Sequence, residues 1–156
     1  MKYAEYRNNL KSGDVVAWSG KGFKPALIRF FTKSEYTHVG VVWTYRGRVF
    51  VIEQIFPEAR VFPLSELLPF HVLHLNKVLT AEAEDVAFSY LGITKYSNWE
   101  AIKSLVGLNN SPDKWQCVEF CKAILKANGT EISCRDVPSD FVKEIQKISP
   151  SMVYLE

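Results

Sequence analysis

The stretch Thr37-His38-Val39-Gly40-Val41-Val42-Trp43-Thr44-Tyr45-Arg46-Gly47-Arg48-Val49-Phe50-Val51-Ile52-Glu53-Gln54 decides how the chain is read. Valine, isoleucine and aromatic residues, which suit a pleated and half-buried surface, dominate both halves, and Arg46-Gly47 separates them. Two such runs predict an antiparallel hairpin with strands over Thr37–Tyr45 and Arg48–Gln54, because two-residue loops are the commonest hairpin connection. With Arg46-Gly47 at the turn, Tyr45 faces Arg48 and the numbers of every facing pair sum to 93. Gly40 then faces Glu53, and His38 faces Ile55. Side chains alternate along a strand, so His38 and Glu53 share a face as diagonal neighbours about 7–8 Å apart at the backbone. A carboxylate there can accept an imidazole N–H, fix the tautomer and stabilise the imidazolium. A three-residue loop would bring Gln54 to the histidine's face instead, where an amide could still orient the ring.

Upstream of the hairpin, Lys11-Ser12-Gly13-Asp14 reads as a turn feeding a strand over Val15–Trp18, which Gly20-Lys21-Gly22 breaks. Pro25–Phe31 suits a short helix with the proline in its first turn. Downstream, Pro57–Pro69 is a proline-punctuated connection, and Phe70–Leu75 reads as a further strand. Thr80 can cap a helix whose first turns hold Glu82, Glu84 and Asp85, where the helix dipole favours negative charge, and Gly92 is placed to end it. A second helix is expected from about Asp113 to Ala127, ending at Asn128-Gly129. Asp113 with Gln116 has the form of a capping box, and Ser111 before Pro112 is an equally good cap. A last helix near Ser139–Lys147 and a strand over Met152–Leu155 complete the pattern. Strands come first and helices follow, which argues α+β.

At 156 residues, the length fits a single domain over 1–156, and 47% hydrophobic with 23% charged residues excludes a disordered chain. The formal charge of +2 gives no support for nucleic acid as a partner. No phosphate-binding glycine loop occurs, and no window reaches the roughly 18 consecutive apolar residues of an integral membrane segment. Met1–Leu10 lacks the apolar core of a signal peptide, which points to a cytoplasmic protein, with phage or virion association as another route to a substrate. The three cysteines are too few for a disulfide framework, and their odd number leaves a thiol free, in keeping with a reducing compartment.

Cys117 falls in the first turns of the second predicted helix. Unpaired backbone N–H groups and the helix dipole favour a thiolate there, and a nearby imidazolium does so further. A cysteine paired with an imidazole is the usual arrangement for acyl transfer. Cys121, one turn on, reads as a small core residue, and Cys134 has no assigned role. Cys117-x-x-x-Cys121 and His71-x-x-His74 have poor spacing for zinc, and on a strand the two histidines would point to opposite faces. No metal and no cofactor is expected.

Four motifs together resemble a known family. They are Leu10-Lys11-Ser12-Gly13-Asp14-Val15-Val16, Tyr36-Thr37-His38-Val39-Gly40-Val41-Val42, Val51-Ile52-Glu53 and Trp115-Gln116-Cys117-Val118-Glu119-Phe120. In order and spacing they resemble the circularly permuted NlpC-like cysteine hydrolases, nearest the YiiX-like branch and more distantly the lecithin:retinol acyltransferase group. The resemblance implies a permuted papain-like fold, with an antiparallel sheet or half-barrel packed against the helix that carries the cysteine. It implies Cys117 as nucleophile, His38 as general base and Glu53 as the group that orients the imidazole. Leu91-Gly92-Ile93-Thr94-Lys95-Tyr96-Ser97 is similar to the family's tyrosine segment, which makes Tyr96 the candidate oxyanion donor beside the backbone N–H of Cys117. Val118 stands where the family often has a small residue, and Ser97 where it commonly has Asp. The implied activity is hydrolysis of amide bonds in peptide-like substrates. Lipid esters or amides are the alternative acyl substrates, and a peptide- or amino-acid-binding or virion-associated module that turns nothing over is a third reading. The sequence leaves the oligomeric state open.

Overall fold

The computed structural model describes residues 1–19, 35–55, 58–92 and 116–156. Several expected features lie outside those residues: the helix over Pro25–Phe31, the Ile93–Asp113 connection with Tyr96, and the caps at Ser111 and Asp113. Among the described residues the strands are β1 (Val15–Trp18), β2 (His38–Tyr45), β3 (Arg48–Gln54), β4 (Ala59–Pro63), β5 (Phe70–Leu73) and β6 (Met152–Leu155). The helices are α1 (Tyr3–Tyr6), α2 (Ala81–Ser89), α3 (Gln116–Ala127) and α4 (Pro138–Ile148). The strands form one six-stranded antiparallel sheet in the order β4-β3-β2-β1-β5-β6.

The β2–β3 hairpin has the expected register, with Tyr45 opposite Arg48, Trp43 opposite Phe50 and Val41 opposite Ile52. Both turn residues are left-handed, Arg46 at φ 48° and Gly47 at φ 73°. Positive φ at both central positions is the type I′ turn, whose twist matches that of the flanking strands. Gly47 adopts it without steric cost, and the register of the whole hairpin follows.

Alternation splits the sheet into two apolar faces. Val15, Ala17, Val39, Val41, Ile52 and Leu73 pack with the helices on one face. Val16, Trp18, Val42, Val51, Phe70 and Val72 pack with Tyr3, Leu10, Leu64 and Leu155 on the other. Helix α3 lies on β2 and β3, and its buried Cys117, Phe120, Cys121, Ile124 and Leu125 recur at helical spacing. Its end is as the sequence indicates: Gly129 is left-handed at φ 72°, and the N–H of Thr130 donates to the Leu125 carbonyl at 2.8 Å. At α2 the Thr80 hydroxyl accepts from the N–H of Ala83 at 3.3 Å, a cap that contributes about 1 kcal/mol.

Three expectations change. Helix α2 stops at Ser89, ahead of Gly92. Strand β5 ends at Leu73, two residues early, because His74 and Leu75 turn to bond Asp14. The Pro57–Pro69 stretch is more than a connection: it contains β4, paired to β3 from Phe50 opposite Pro63 to Gln54 opposite Ala59. Prolines confine a strand to an edge, which is where β4 lies.

Candidate active site

The site is a row of side chains across four neighbouring strands. Trp18 on β1 is paired with His38 on β2, and Glu53 on β3 is paired with Arg60 on β4. The regular β2–β3 ladder ends at Val41 opposite Ile52, one step before Gly40 and Glu53. Gly40 has no side chain for a reason: a Cβ there would lie 2.5 Å from Val51 Cγ2 and 3.3 Å from Glu53 Cβ. The missing methyl lets the Glu53 stem sit beside β2, within reach of the histidine.

His38 Nε2 and Glu53 Oε2 are 2.7 Å apart, which is the contact expected from the hairpin register. Glu53 is only 2% exposed and therefore carries its charge out of water. Its other oxygen, Oε1, accepts from Arg60 Nε at 2.8 Å and lies 2.6 Å from an Arg60 Nη. The guanidinium carbon of Arg60 lies 4.3 Å from the centroid of the Phe62 ring. The indole of Trp18 stands 5.2 Å from the imidazole centroid, and its Nε1 donates to the Leu67 carbonyl at 2.8 Å, so the ring is fixed.

Cys117 completes the group. Its thiol is near enough to His38 to help push the imidazole pKa up, so the ring has the thiol and the carboxylate as neighbours. Burial alone would lower the His38 pKa. The hydrogen bonds to Cys117 and Glu53, with the charges of both groups, outweigh burial and push it up to about 9. For Glu53 burial acts upward, but the hydrogen bond and charge of His38, followed by those of Arg60, hold the carboxyl below its usual range.

These shifts predict how stability depends on pH. His38 is held above its ordinary 6.5, so its contribution is complete below that pH and is lost as the pH rises through about 9. The shift sets a ceiling of about 3 kcal/mol for this side chain, which is 24% exposed. Glu53 acts in the opposite sense: its contribution is present above 4.5 and is lost as the pH falls through the lowered folded value. Thermal melts at a series of alkaline pH values are therefore expected to show a steeper loss of Tm for the native chain than for His38→Gln. Parallel curves would show that the pair adds nothing to the folded state.

The other cysteines are unlike Cys117. Cys121 is fully buried, and burial first, then the charges of Cys117 and Glu53, push its thiol well above the ordinary value. Cys134 is half-buried, and its carbonyl accepts from Lys122 Nζ, which also bonds Asp136 at 2.8 Å. The two downstream histidines serve different places. His74 joins Asp14 at 2.9 Å and the Tyr6 hydroxyl at 2.9 Å, tying the end of β5 to the turn before β1. His71 lies against the rings of Tyr36 and Tyr154. Among the described residues, no group of three or more His, Cys, Asp and Glu side chains is disposed to hold a metal ion.

Sequence reasoning missed Arg60, Trp18 and the role of Gly40. The alternation Ala59-Arg60-Val61-Phe62 could have signalled a short strand, with Arg60 opposite Glu53, had the flanking prolines been read as edge markers. Tyr96 falls outside the described residues, so the structure adds nothing to its assignment.

No family model matches the sequence, and no curated protein does. Among solved structures the chain is similar to the metalloprotein yiiX from Escherichia coli O157:H7, with a TM-score of 0.60 and 15% identity over 94% of this chain and 96% of that one. No described helix is long and apolar enough to cross a membrane. At this identity the likeness speaks for architecture: the chain has a YiiX-like α+β fold, a six-stranded antiparallel sheet carrying helices, which fits the papain-like and NlpC-like class expected from the motifs.

Proposed function

We propose that residues 1–156 form a permuted NlpC-like domain that works as a cysteine hydrolase of amide bonds in peptide-like substrates. The observation that carries this reading is His38, hydrogen-bonded at 2.7 Å to the buried Glu53 carboxylate, with the Cys117 thiol near enough to help raise the imidazole pKa. A structural histidine has no need of both partners. In the proposed reaction His38 takes the Cys117 proton and the sulfur attacks the carbonyl carbon, forming an S–C bond. Tyr96 and the backbone N–H of Cys117 are the proposed donors to the oxyanion. The tetrahedral species collapses as the C–N bond breaks, and the departing amine takes the proton from His38. Water, deprotonated by the now neutral imidazole, attacks the thioester; the C–S bond breaks, the imidazolium returns its proton to the Cys117 sulfur, and the acid leaves. Glu53 holds the ring through Nε2 and stabilises its charged form in both halves of the cycle.

Covalent trapping tests the reading. Limited iodoacetamide at neutral pH is expected to modify Cys117 ahead of Cys134, although Cys117 is only 5% exposed and Cys134 is half-buried. Preference for the less accessible thiol measures activation, since access alone predicts the opposite order. Acid quenching during incubation with panels of peptide amides and acyl esters is expected to leave an acyl mass on the Cys117 peptide from the amides. Acylation by lipid esters alone would move the assignment to lipid substrates. Faster labelling of Cys134, with no acyl adduct from any panel, would overturn the hydrolase reading.

A further inference from the structure

The carboxylate that serves His38 is itself held. Glu53 and Arg60 are directly opposite in the β3–β4 ladder. Arg60 directs Nε and an Nη to the same oxygen, Oε1, at 2.8 and 2.6 Å, while Oε2 alone meets His38 Nε2 at 2.7 Å. The two oxygens of one carboxylate are thus divided between two cations. Without Arg60 the contact to His38 would be left to set the plane of the carboxylate by itself. The Phe62 ring against the guanidinium keeps the fork in place.

We propose that Arg60 is a positioning residue of this site, which acts through Glu53 by fixing Oε1 and so leaving Oε2 in the direction of His38 Nε2. The inference rests on the hydrolase reading above. The guanidinium stays protonated throughout the accessible pH range, so its hold on Glu53 does not vary as His38 gains and loses its proton. With His38 protonated and Cys117 deprotonated, Arg60, Glu53, His38 and Cys117 alternate in sign along the row. Lysine at position 60 would supply the charge but not two donors in a fixed plane. Arg60 is 30% exposed on an edge strand, so its replacement leaves the apolar faces of the sheet intact.

The test uses Arg60→Met, Arg60→Lys, Glu53→Gln and the double variant of Arg60→Met with Glu53→Gln. Two readouts are followed: the pH profile of Cys117 alkylation, and kcat with KM for whichever amide acylates Cys117. Arg60→Met is expected to lower kcat about tenfold to a hundredfold, the range for a misplaced supporting group, with KM little changed. The acidic limb of its alkylation profile is expected to move to higher pH, because Glu53 loses a partner that favours its charged form. Arg60→Lys restores the limb more fully than it restores kcat. In the Glu53→Gln background, Arg60→Met costs less than about twofold, because the group it acts through has gone. An unmoved acidic limb, or the same loss in both backgrounds, would overturn the proposal while Cys117 still acylates. If Cys117 does not acylate in the native chain, the hydrolase reading fails and Arg60 reverts to a structural partner of Glu53. Melting curves for each variant separate these outcomes from loss of fold.

Discussion

Cys117→Ala is expected to leave no measurable turnover of the amides that acylate the native chain, and His38→Ala to reduce turnover about 10²–10⁴-fold, the usual contribution of a positioned acid–base group. The two losses differ in kind. In the proposed reaction, removing sulfur removes the atom that bonds the carbonyl carbon, whereas removing the imidazole leaves a thiol that must lose its proton to water. Combining the two variants is expected to cost no more than Cys117→Ala alone, since the residues act as a unit. Cys121→Ala is the matched control: it lies one turn away on the same helix, is fully buried, and has a thiol that burial holds in its protonated form. It is expected to lose some stability and keep turnover. Turnover that survives Cys117→Ala but not Cys121→Ala would reverse the assignment, and steady-state kinetics with melting curves decides between them.

Gly40→Ala is expected to have the second largest effect, although Gly40 itself supplies no group to the proposed chemistry. The added methyl would sit 2.5 Å from Val51 Cγ2 and 3.3 Å from Glu53 Cβ. Valine is stiff about χ1, so Val51 cannot swing aside cheaply, and both it and the Glu53 stem must shift. Overpacking of this kind costs about 1–3 kcal/mol. The same shift displaces the carboxylate from His38, and a misplacement of about 1 Å costs on the order of 10²-fold in rate. Urea unfolding and kcat on one preparation measure both losses. A variant that melts earlier yet keeps the native kcat would show that Glu53 tolerates displacement.

Local chemistry made part of this fold readable in advance. The Arg46-Gly47 turn sets the β2–β3 register, and from the register the meeting of His38 with Glu53 follows by counting. β1, β3 and β6 span the residues that the sequence indicates, and Thr80 caps because its hydroxyl accepts from an orphan N–H group of α2. Features that depend on residues distant in sequence were not legible. The early end of β5 is set by Asp14, and the single turn of α1 is too short to show a helical period. β4 was hidden because prolines on either side speak against a strand unless its edge position is known. Arg60 was hidden with it. His38 and Cys117, whose thiol helps raise the imidazole pKa, come from segments far apart in the chain, and the motif order suggested their pairing where periodicity alone could not.

The row across the sheet also bears on the order in which the molecule can assemble. His38 and Glu53 are separated by 15 positions, and Glu53 and Arg60 by 7, so the row of His38, Glu53 and Arg60 lies within one short meander of adjacent strands. Contacts so close in sequence form with little loop-closure entropy and belong to the fast part of folding. The sulfur arrives on a helix encoded much later in the chain and can engage the imidazole only once α3 has docked on β2 and β3. On the proposed function, folding would act as a safety catch: until α3 docks, the Cys117 thiol lacks the imidazole that the proposed reaction uses, and its reactivity is expected only with the finished tertiary structure.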